Sequence, residues 1–317
     1  MNTKNTADRV VLGTMYLGTR LDDRDSFAVL DRYVELGGRW IDTSNNYSFW
    51  EDESGFGGQS EAVIGRWLRA NPGVPVKIST KVGAQPTHPG GFPDHLEGLA
   101  EPTVRRSLDE SLQRLGRDQV DLYWAHVEDL NVPLADLIGT FGQLVADGRL
   151  GAYGLSNHPS WRVAEARLLA GQAGLAMPTA YQQRYSYLQP APGAPVEGQP
   201  IPLGMLSADG LELLRRNDDL TGWVYTSLLL GAYDRDNRTL SSEYEHPGNT
   251  RRIAALDEVA KERGMSRGQI VLAWLADGDP QLMPIVGASR SEQVEQAWAG
   301  AGTELTAEER ARLDAAY

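Results

Sequence analysis

Short apolar runs alternate with amphipathic stretches along the whole chain, and this alternation restricts the possible folds more than any other feature. Eight runs read as strands, at 10–13, 40–43, 76–80, 120–125, 152–156, 180–182, 222–226 and 283–286. Helix-like segments lie near 25–37, 59–70, 102–115, 134–147, 160–173, 207–217, 251–263 and 291–299, and a further one opens at Gly264-Met265-Ser266 and runs through Ala276. Ser26 precedes an apolar face of Phe27, Leu30 and Val34, and Pro102 stands where a first helical turn tolerates proline. Gly37-Gly38 and Gly148 fall where helices should stop. Strict strand–helix alternation calls for a parallel sheet with right-handed crossovers. Eight such units predict closure into one (β/α)8 barrel, a TIM barrel of a single domain over 1–317. The rival is an open doubly wound sheet. It lacks its phosphate-binding turn here, because Gly13-Thr14-Met15-Tyr16-Leu17-Gly18 is too loose to match G-x-G-x-x-G. The Pro/Gly-rich piece 189–204 follows the sixth strand, so it reads as a loop on one barrel face rather than a linker.

Composition then narrows the chemistry. Hydrophobic residues are 41% and charged residues 23%, enough for a sizeable core and too apolar for wholesale disorder. The formal net charge of −13 gives no global reason to hold nucleic acid or an anionic membrane. An anionic ligand therefore needs a local positive site. The chain has no cysteine, which removes disulfides, thiolate nucleophiles and cysteine metal sites. Residues 1–9 are polar, without an apolar signal core, and no run approaches the roughly 18 apolar residues of a membrane span. The expectation is a soluble, cytoplasmic protein.

A barrel of this kind carries its active site at the C-terminal strand ends. Strand two ends at Asp42 and is followed by Thr43-Ser44-Asn45-Asn46-Tyr47; strand three leads to Lys81 and strand four to His126. An acid, a base and an imidazole on three successive strands point at one small volume, each ending an apolar run. Strand five ends in Ser156-Asn157, strand six carries Gln182, strand seven gives Tyr225-Thr226-Ser227 and strand eight gives Gly287-Ala288-Ser289-Arg290. His88, His95, His158 and His246 show no metal-ligand spacing and read as solvated loop residues, so no metal site is expected.

These residues resemble the aldo-keto reductase family. Trp40 to Tyr47, Ser79-Thr80-Lys81, His126, Gly154-Leu155-Ser156-Asn157-His158, Gln182 and Ile285-Val286-Gly287-Ala288-Ser289 carry the likeness in order along nearly the whole chain. It is closer to the bacterial, potassium-channel-β-like branch than to the mammalian aldose reductases. The resemblance implies a (β/α)8 barrel that reduces aldehydes and ketones with NADPH. It makes Tyr47 the proton donor, with its pKa lowered by Lys81, which Asp42 holds in place, and it makes His126 the residue that orients the carbonyl oxygen. A phenol with pKa about 10 is a poor donor and acceptor at neutral pH unless its environment is tuned.

The resemblance also supplies a cofactor site. Ser156, Asn157 and Gln182 match the nicotinamide carboxamide binders, and Tyr225 matches the stacking residue. Thr226, Ser227, Leu228 and Gly231 match the stretch around the pyrophosphate, with Ser227 where many relatives have proline. Gly287, Ser289, Arg290 and Gln293 match the binder of the adenosine 2′-phosphate, and the planar fork of Arg290 is the local cation that the acidic composition demands. Thr14, Met15, Tyr16 and Asp42 complete the set. Gln296 and Ala297 stand where relatives often carry adenine-contacting Glu and Asn, and only 7–11 precedes Gly13, so the N-terminal hairpin of relatives is expected to be missing or vestigial.

Substrate contacts are expected from Tyr16, Trp50 and Trp124 and from the long loops 83–100, 185–206 and 230–250. Asp94, Glu97, Asp129, Asp234, Asp236 and Glu243 give an acidic rim that favours a neutral or cationic small-molecule carbonyl substrate. Two other readings stay open: a regulatory nucleotide-binding protein with slow turnover, and a lyase or aldolase using Lys81 as a Schiff base.

Overall fold

The computed structural model describes residues 6–196, 204–235 and 239–316. Its eight strands are β1 (Val11–Gly13), β2 (Trp40–Asp42), β3 (Lys77–Val82), β4 (Val120–Ala125), β5 (Leu150–Ser156), β6 (Ala180–Arg184), β7 (Thr221–Tyr225) and β8 (Leu282–Gly287). Each pairs in parallel with the next, and β8 returns to β1, closing the predicted barrel. β5 starts two residues earlier than its apolar run suggests because Leu150 pairs with Val120 across Gly151.

Among the described residues ten α-helices surround the sheet: α1 (Asp23–Glu35), α2 (Gln59–Ala70), α3 (Glu101–Leu115), α4 (Leu134–Ala146), α5 (Ser160–Ala173), α6 (Ala208–Arg215), α7 (Pro247–Arg263), α8 (Arg267–Ala276), α9 (Ser291–Gly302) and α10 (Ala307–Asp314). α1 begins earlier than Ser26. Its N-cap is Asp22, whose carboxylate accepts from the Asp25 N–H, while Ser26 is buried in the first turn. The sequence reading also passes over α10. Thr306 and Glu309 form a reciprocal capping box at its start, a signal visible in the sequence.

The period of two along each strand sorts the core. Outward residues such as Ile41, Ile78, Val82, Tyr123 and Leu155 pack under the helices. Inward residues Val11, Leu122, Trp124, Trp223, Met283 and Ile285 fill the lumen, with Trp40 against them. Trp223 lies edge-on to both Trp40 and Trp124, at ring separations of 5.2 and 5.4 Å. Gly154 makes the room, since a methyl group there would meet the Trp124 ring at 2.5 Å. At the N-terminal end Lys77 Nζ stands 5.1 Å over the Trp40 ring. Thr6–Asp8 forms a 3-10 turn leading into β1, and residues 1–5 lie outside the described residues. The barrel is thus a filled core with a tryptophan floor beneath its C-terminal mouth.

Candidate active site

Register places the chemistry at one height. Gly13 pairs with Asp42, Asp42 with Ser79, and Lys81 with Trp124. Alternation turns Asp42, Ser79 and Lys81 into the lumen while Ile41 and Thr80 face the helices. Lys81 Nζ lies 2.5 Å from Asp42 Oδ2, 2.5 Å from the Tyr47 hydroxyl and 2.8 Å from the Thr43 carbonyl, so all three ammonium protons have acceptors. Asp42 also accepts from Ser79 Oγ at 2.6 Å and from the Tyr47 hydroxyl at 3.0 Å. Both charged side chains are fully buried, where breaking such a pair leaves an uncompensated charge.

Tyr47 reaches over the mouth on a tightly held turn. Asn45 Nδ2 donates to Glu97 at 2.7 Å and Asn46 Nδ2 to the Ala84 carbonyl at 3.0 Å, clipping the turn to the loop after β3. Ser48 is left-handed, with φ 56°, and its hydroxyl donates to the Met15 carbonyl. Gly57 passes so close that a methyl group there would meet Asn45 O and Asn46 Cα at 2.5 Å.

His126 follows β4, its backbone N–H donating to the Val82 carbonyl. Its ring stands edge-on to that of Tyr47 at 6.3 Å, and Nδ1 lies 3.3 Å from Ser44 Oγ. Burial and the Lys81 charge push the imidazole well below its ordinary value of 6.5. Burial draws the Lys81 ammonium down despite the opposing pull of Asp42. The Tyr47 phenol is raised well above 10.0, first by burial and then by Asp42. The expected lowering by Lys81 is absent because Asp42 at 2.5 Å already neutralises that charge. Tyr47 therefore faces a neutral pair in a desolvated site, and it keeps its proton.

Two other sequence readings change. His158 is not solvated. It is 1% exposed, its Nδ1 donates to the Ser156 carbonyl at 2.7 Å, and burial pushes its pKa down to about 4. His246, half-buried, lies with Nε2 2.9 Å from the Gln189 carbonyl, whereas His88 and His95 are exposed as expected. The acidic rim is mostly internal bracing. Glu97 accepts from Asn45, the Gly83 N–H and Ser107, Asp129 from the Leu99 and Asn131 N–H groups, and Asp234 from Ser266 and the Gly268 N–H. Glu243 is buried, Asp94 is exposed and Asp236 lies outside the described residues. These contacts remove the basis for reading the rim as a selector of substrate charge.

The far side of the mouth is built differently. Ser156 and Gln182 are register partners, and both are buried. The Asn157 amide bridges strands, Nδ2 donating to the His126 carbonyl at 2.9 Å and Oδ1 accepting from the Tyr225 hydroxyl at 2.7 Å. Gln182 Nε2 is buried and has no hydrogen-bond partner among the described residues. An unmade bond of this kind is costly, and a carboxamide oxygen would satisfy it. Non-glycine residues are left-handed here: Asn157 (φ 57°), Thr226 (φ 56°), Leu229 (φ 46°) and Leu230 (φ 57°). Such strain costs roughly 1–3 kcal/mol per residue and clusters at ligand sites. Ser227 is buried, its hydroxyl donating to the Val224 carbonyl, Leu228 is half-buried and Gly231 is left-handed. Gly287, Ser289 and Arg290 are exposed at the end of β8. Gln293 Oε1 accepts from the Ser289 N–H at 2.8 Å, and Arg290 is the N-cap residue of α9. The residues therefore fit a nicotinamide dinucleotide: an amide for its carboxamide and an exposed guanidinium beside helical N–H groups for a phosphate, both without partners among the described residues.

Two residues expected to make ligand contacts, Thr14 and Trp124, are buried. The Thr14 hydroxyl is engaged with the Asp42 carbonyl and Ser60, both at 2.9 Å, well inside the protein. Trp124 is fully buried in the floor rather than at the rim. Tyr16 is half-buried, with the Arg20 guanidinium 4.2 Å over its ring. Trp50 is half-exposed against Phe49. Among the described residues no group of three or more His, Asp or Glu is placed to hold a metal ion, and no helix is long and apolar enough to cross a membrane.

The model of the aldo/keto reductase family matches residues 9–317. The chain belongs to this family. Norsolorinic acid reductase stcV of Emericella nidulans is 30% identical over 94% of this chain and 75% of its own length. An aryl-alcohol dehydrogenase of Pestalotiopsis microspora is 26% identical over 92% and 72%, and the oxidoreductase YrpG of Bacillus subtilis is 26% identical over 90% and 85%. This aldo/keto reductase is accordingly an oxidoreductase of the carbonyl-reducing kind, with the Asp42–Tyr47–Lys81–His126 cluster at the barrel mouth where its family's chemistry is expected.

Proposed function

We propose that this aldo/keto reductase reduces an aldehyde or ketone to an alcohol with NADPH in the cytoplasm. The observation that carries the reading is Lys81 Nζ at 2.5 Å from both Asp42 and the Tyr47 hydroxyl. NADPH, when bound, supplies the hydride. The carbonyl oxygen then gains charge and needs a proton, which Tyr47 gives from a phenol that is neutral at pH 7. Lys81 donates a hydrogen bond to the phenolate left behind while Asp42 balances the Lys81 charge, so the group carries one net negative charge until Tyr47 regains a proton. His126, its ring edge-on to that of Tyr47, orients the reacting oxygen.

Ser156, Asn157 and Gln182 would hold the carboxamide, and the Tyr225 ring would face the nicotinamide. Thr226, Ser227, Leu228 and Gly231 would follow the pyrophosphate, with Met15 and Tyr16 on the other flank. Gly287, Ser289, Arg290 and Gln293 would hold the 2′-phosphate. The norsolorinic acid reductases and the aryl-alcohol dehydrogenase among the relatives, with Tyr16, Trp50 and Phe49 along the mouth, support an aryl carbonyl as substrate class. A Schiff base on Lys81 is disfavoured, because its amine is buried and its protons are all engaged.

Absorbance of NADPH, followed against a panel of aldehydes and ketones, tests this directly, and no turnover of any carbonyl sinks it. Tyr47→Phe is expected to lower kcat roughly 1,000-fold while leaving NADPH affinity nearly unchanged.

A further inference from the structure

The outward-facing neighbours of Asp42 and Lys81 are held by consecutive side chains at the start of α2. Thr43 follows Asp42, and its Oγ1 lies 2.8 Å from Ser60 Oγ. Thr80 precedes Lys81, and its Oγ1 donates to Glu61 Oε1 at 2.5 Å. The bonds around Ser60 run in one direction. The Asp42 carbonyl can only accept, so it takes the Thr14 hydroxyl proton at 2.9 Å. Ser60 gives its own proton to Thr14, whose carbonyl is 2.8 Å away, and accepts from Thr43. The series Thr43–Ser60–Thr14–Asp42 thus closes on the two sides of one peptide unit, the one that joins Asp42 to Thr43. Thr14, Thr43 and Ser60 are all fully buried. So is Glu61, whose other oxygen accepts from Arg114 Nε of α3 at 2.7 Å. α2 has no slack against α3, because a methyl group at Gly65 would collide with the Arg114 carbonyl oxygen.

Lys81 depends on the segment held in this way. Its three protons go to Asp42, the Tyr47 hydroxyl and the Thr43 carbonyl. That carbonyl lies beyond the last residue of β2. The Thr43 N–H still reaches the Ser79 carbonyl at 2.9 Å, but the next bond, from the Asn45 N–H to the Lys81 carbonyl, has lengthened to 3.4 Å. Ser60 takes hold where the strand ladder fades. Asp42, Tyr47 and His126 face the ammonium, Tyr225 reaches the group through Tyr47, and Glu61 with Arg114 stands behind β3. Burial opposes the charge on Lys81, while Asp42 and Glu61 favour it.

We propose that Ser60 and Glu61 are positioning residues for Lys81: by gripping Thr43 and Thr80 from α2, they fix the separation of Asp42 and Lys81 and keep the Thr43 carbonyl on the ammonium. Each acts only through the strand residue it holds. The loop 47–58, which begins with Tyr47, ends on this same helical turn, so Tyr47 and both of its charged partners share one anchor. The kinetic consequence rests on the carbonyl-reductase reading above; the effect on Lys81 does not.

The chain has four lysines, Lys4, Lys77, Lys81 and Lys261. Carbon-13 NMR of lysine-labelled protein therefore follows the Lys81 titration, assigned as the signal that survives Lys4→Arg, Lys77→Arg and Lys261→Arg. Ser60→Ala and Thr80→Val each release one grip and leave every charge in place. Each is expected to lower the Lys81 midpoint by about one pH unit, the effect of loosening one charge-assisted hydrogen bond. The alkaline limb of kcat should move with it, so that kcat at the wild-type midpoint falls about fivefold while KM and NADPH affinity stay level. Thr80→Ser, which keeps the hydroxyl, is expected to restore both. The two grips are separate, so either variant suffices if the other fails to fold. An unmoved Lys81 midpoint, even with lowered thermal stability, marks a merely structural role and overturns the proposal, as does a Thr80→Ser protein that behaves like Thr80→Val. A shifted midpoint in a protein that turns over no carbonyl supports the proposal and fails the reductase reading instead.

Discussion

The two sides of the barrel mouth are made of similar residues in opposite states. On the β2–β4 side every polar atom of Asp42 and Lys81 has a partner, and the group is charge-neutral and buried. Among the described residues of the β5–β8 side, Gln182 carries an unmade bond, four non-glycine residues sit in left-handed backbone, and Arg290 stands exposed. The first is complete without a ligand, which suits the chemistry proposed for it. The second holds unmet bonds and strain, which suits the binding proposed for it. A site that must hold a proton steady and also admit and release a large anion can divide those demands between separate strands.

Substitutions on the two sides should therefore separate stability from affinity. Lys81→Met is expected to have the largest effect. It leaves Asp42 buried without its counter-charge, costing about 3–5 kcal/mol in denaturant unfolding, and it lowers kcat by roughly 100-fold or more. A fully stable Lys81→Met protein would break the contrast. Arg290→Ala should leave the unfolding midpoint unchanged but weaken NADPH about 10- to 100-fold by titration calorimetry, with NADH little affected. Equal weakening of both would remove Arg290 from the 2′-phosphate. Gln182→Leu sharpens the comparison further: about fivefold weaker cofactor binding, with thermal stability unchanged or slightly raised, because the lost amide had no partner. The gentlest test is pH. With His126 held well below 6.5, kcat/KM should run level through that pH, and it should fall on the alkaline side before 10.5 as Lys81, its pKa lowered by burial, loses its proton.

The sequence exposed the barrel because period and alternation are local properties, written within each strand and helix. It exposed Asp42, Lys81 and His126 because a charged residue ending an apolar run needs a reason. What it could not show depended on distant partners. Glu97 and Asp129 look like solvated charges until the loops that bring Asn45 and the Leu99 N–H to them are folded. His158 reads as a loop residue, yet its carbonyl receives the Tyr181 hydroxyl from the next strand and its ring is sealed in. The Tyr47 phenol depends on the balance between Lys81 and Asp42 and on the extent of burial, neither of which spacing reveals. The start of α10 is legible in the sequence, through the reciprocal capping of Thr306 and Glu309.

The tryptophan floor has an optical consequence. Three indoles held edge-on at 5.2 and 5.4 Å share excitation and are fixed in a chiral arrangement. They make the closed barrel visible in near-ultraviolet circular dichroism, independently of the helices that dominate the far-ultraviolet band. Loss of the first signal before the second would time the opening of the lumen against the melting of the outer shell, with no label added.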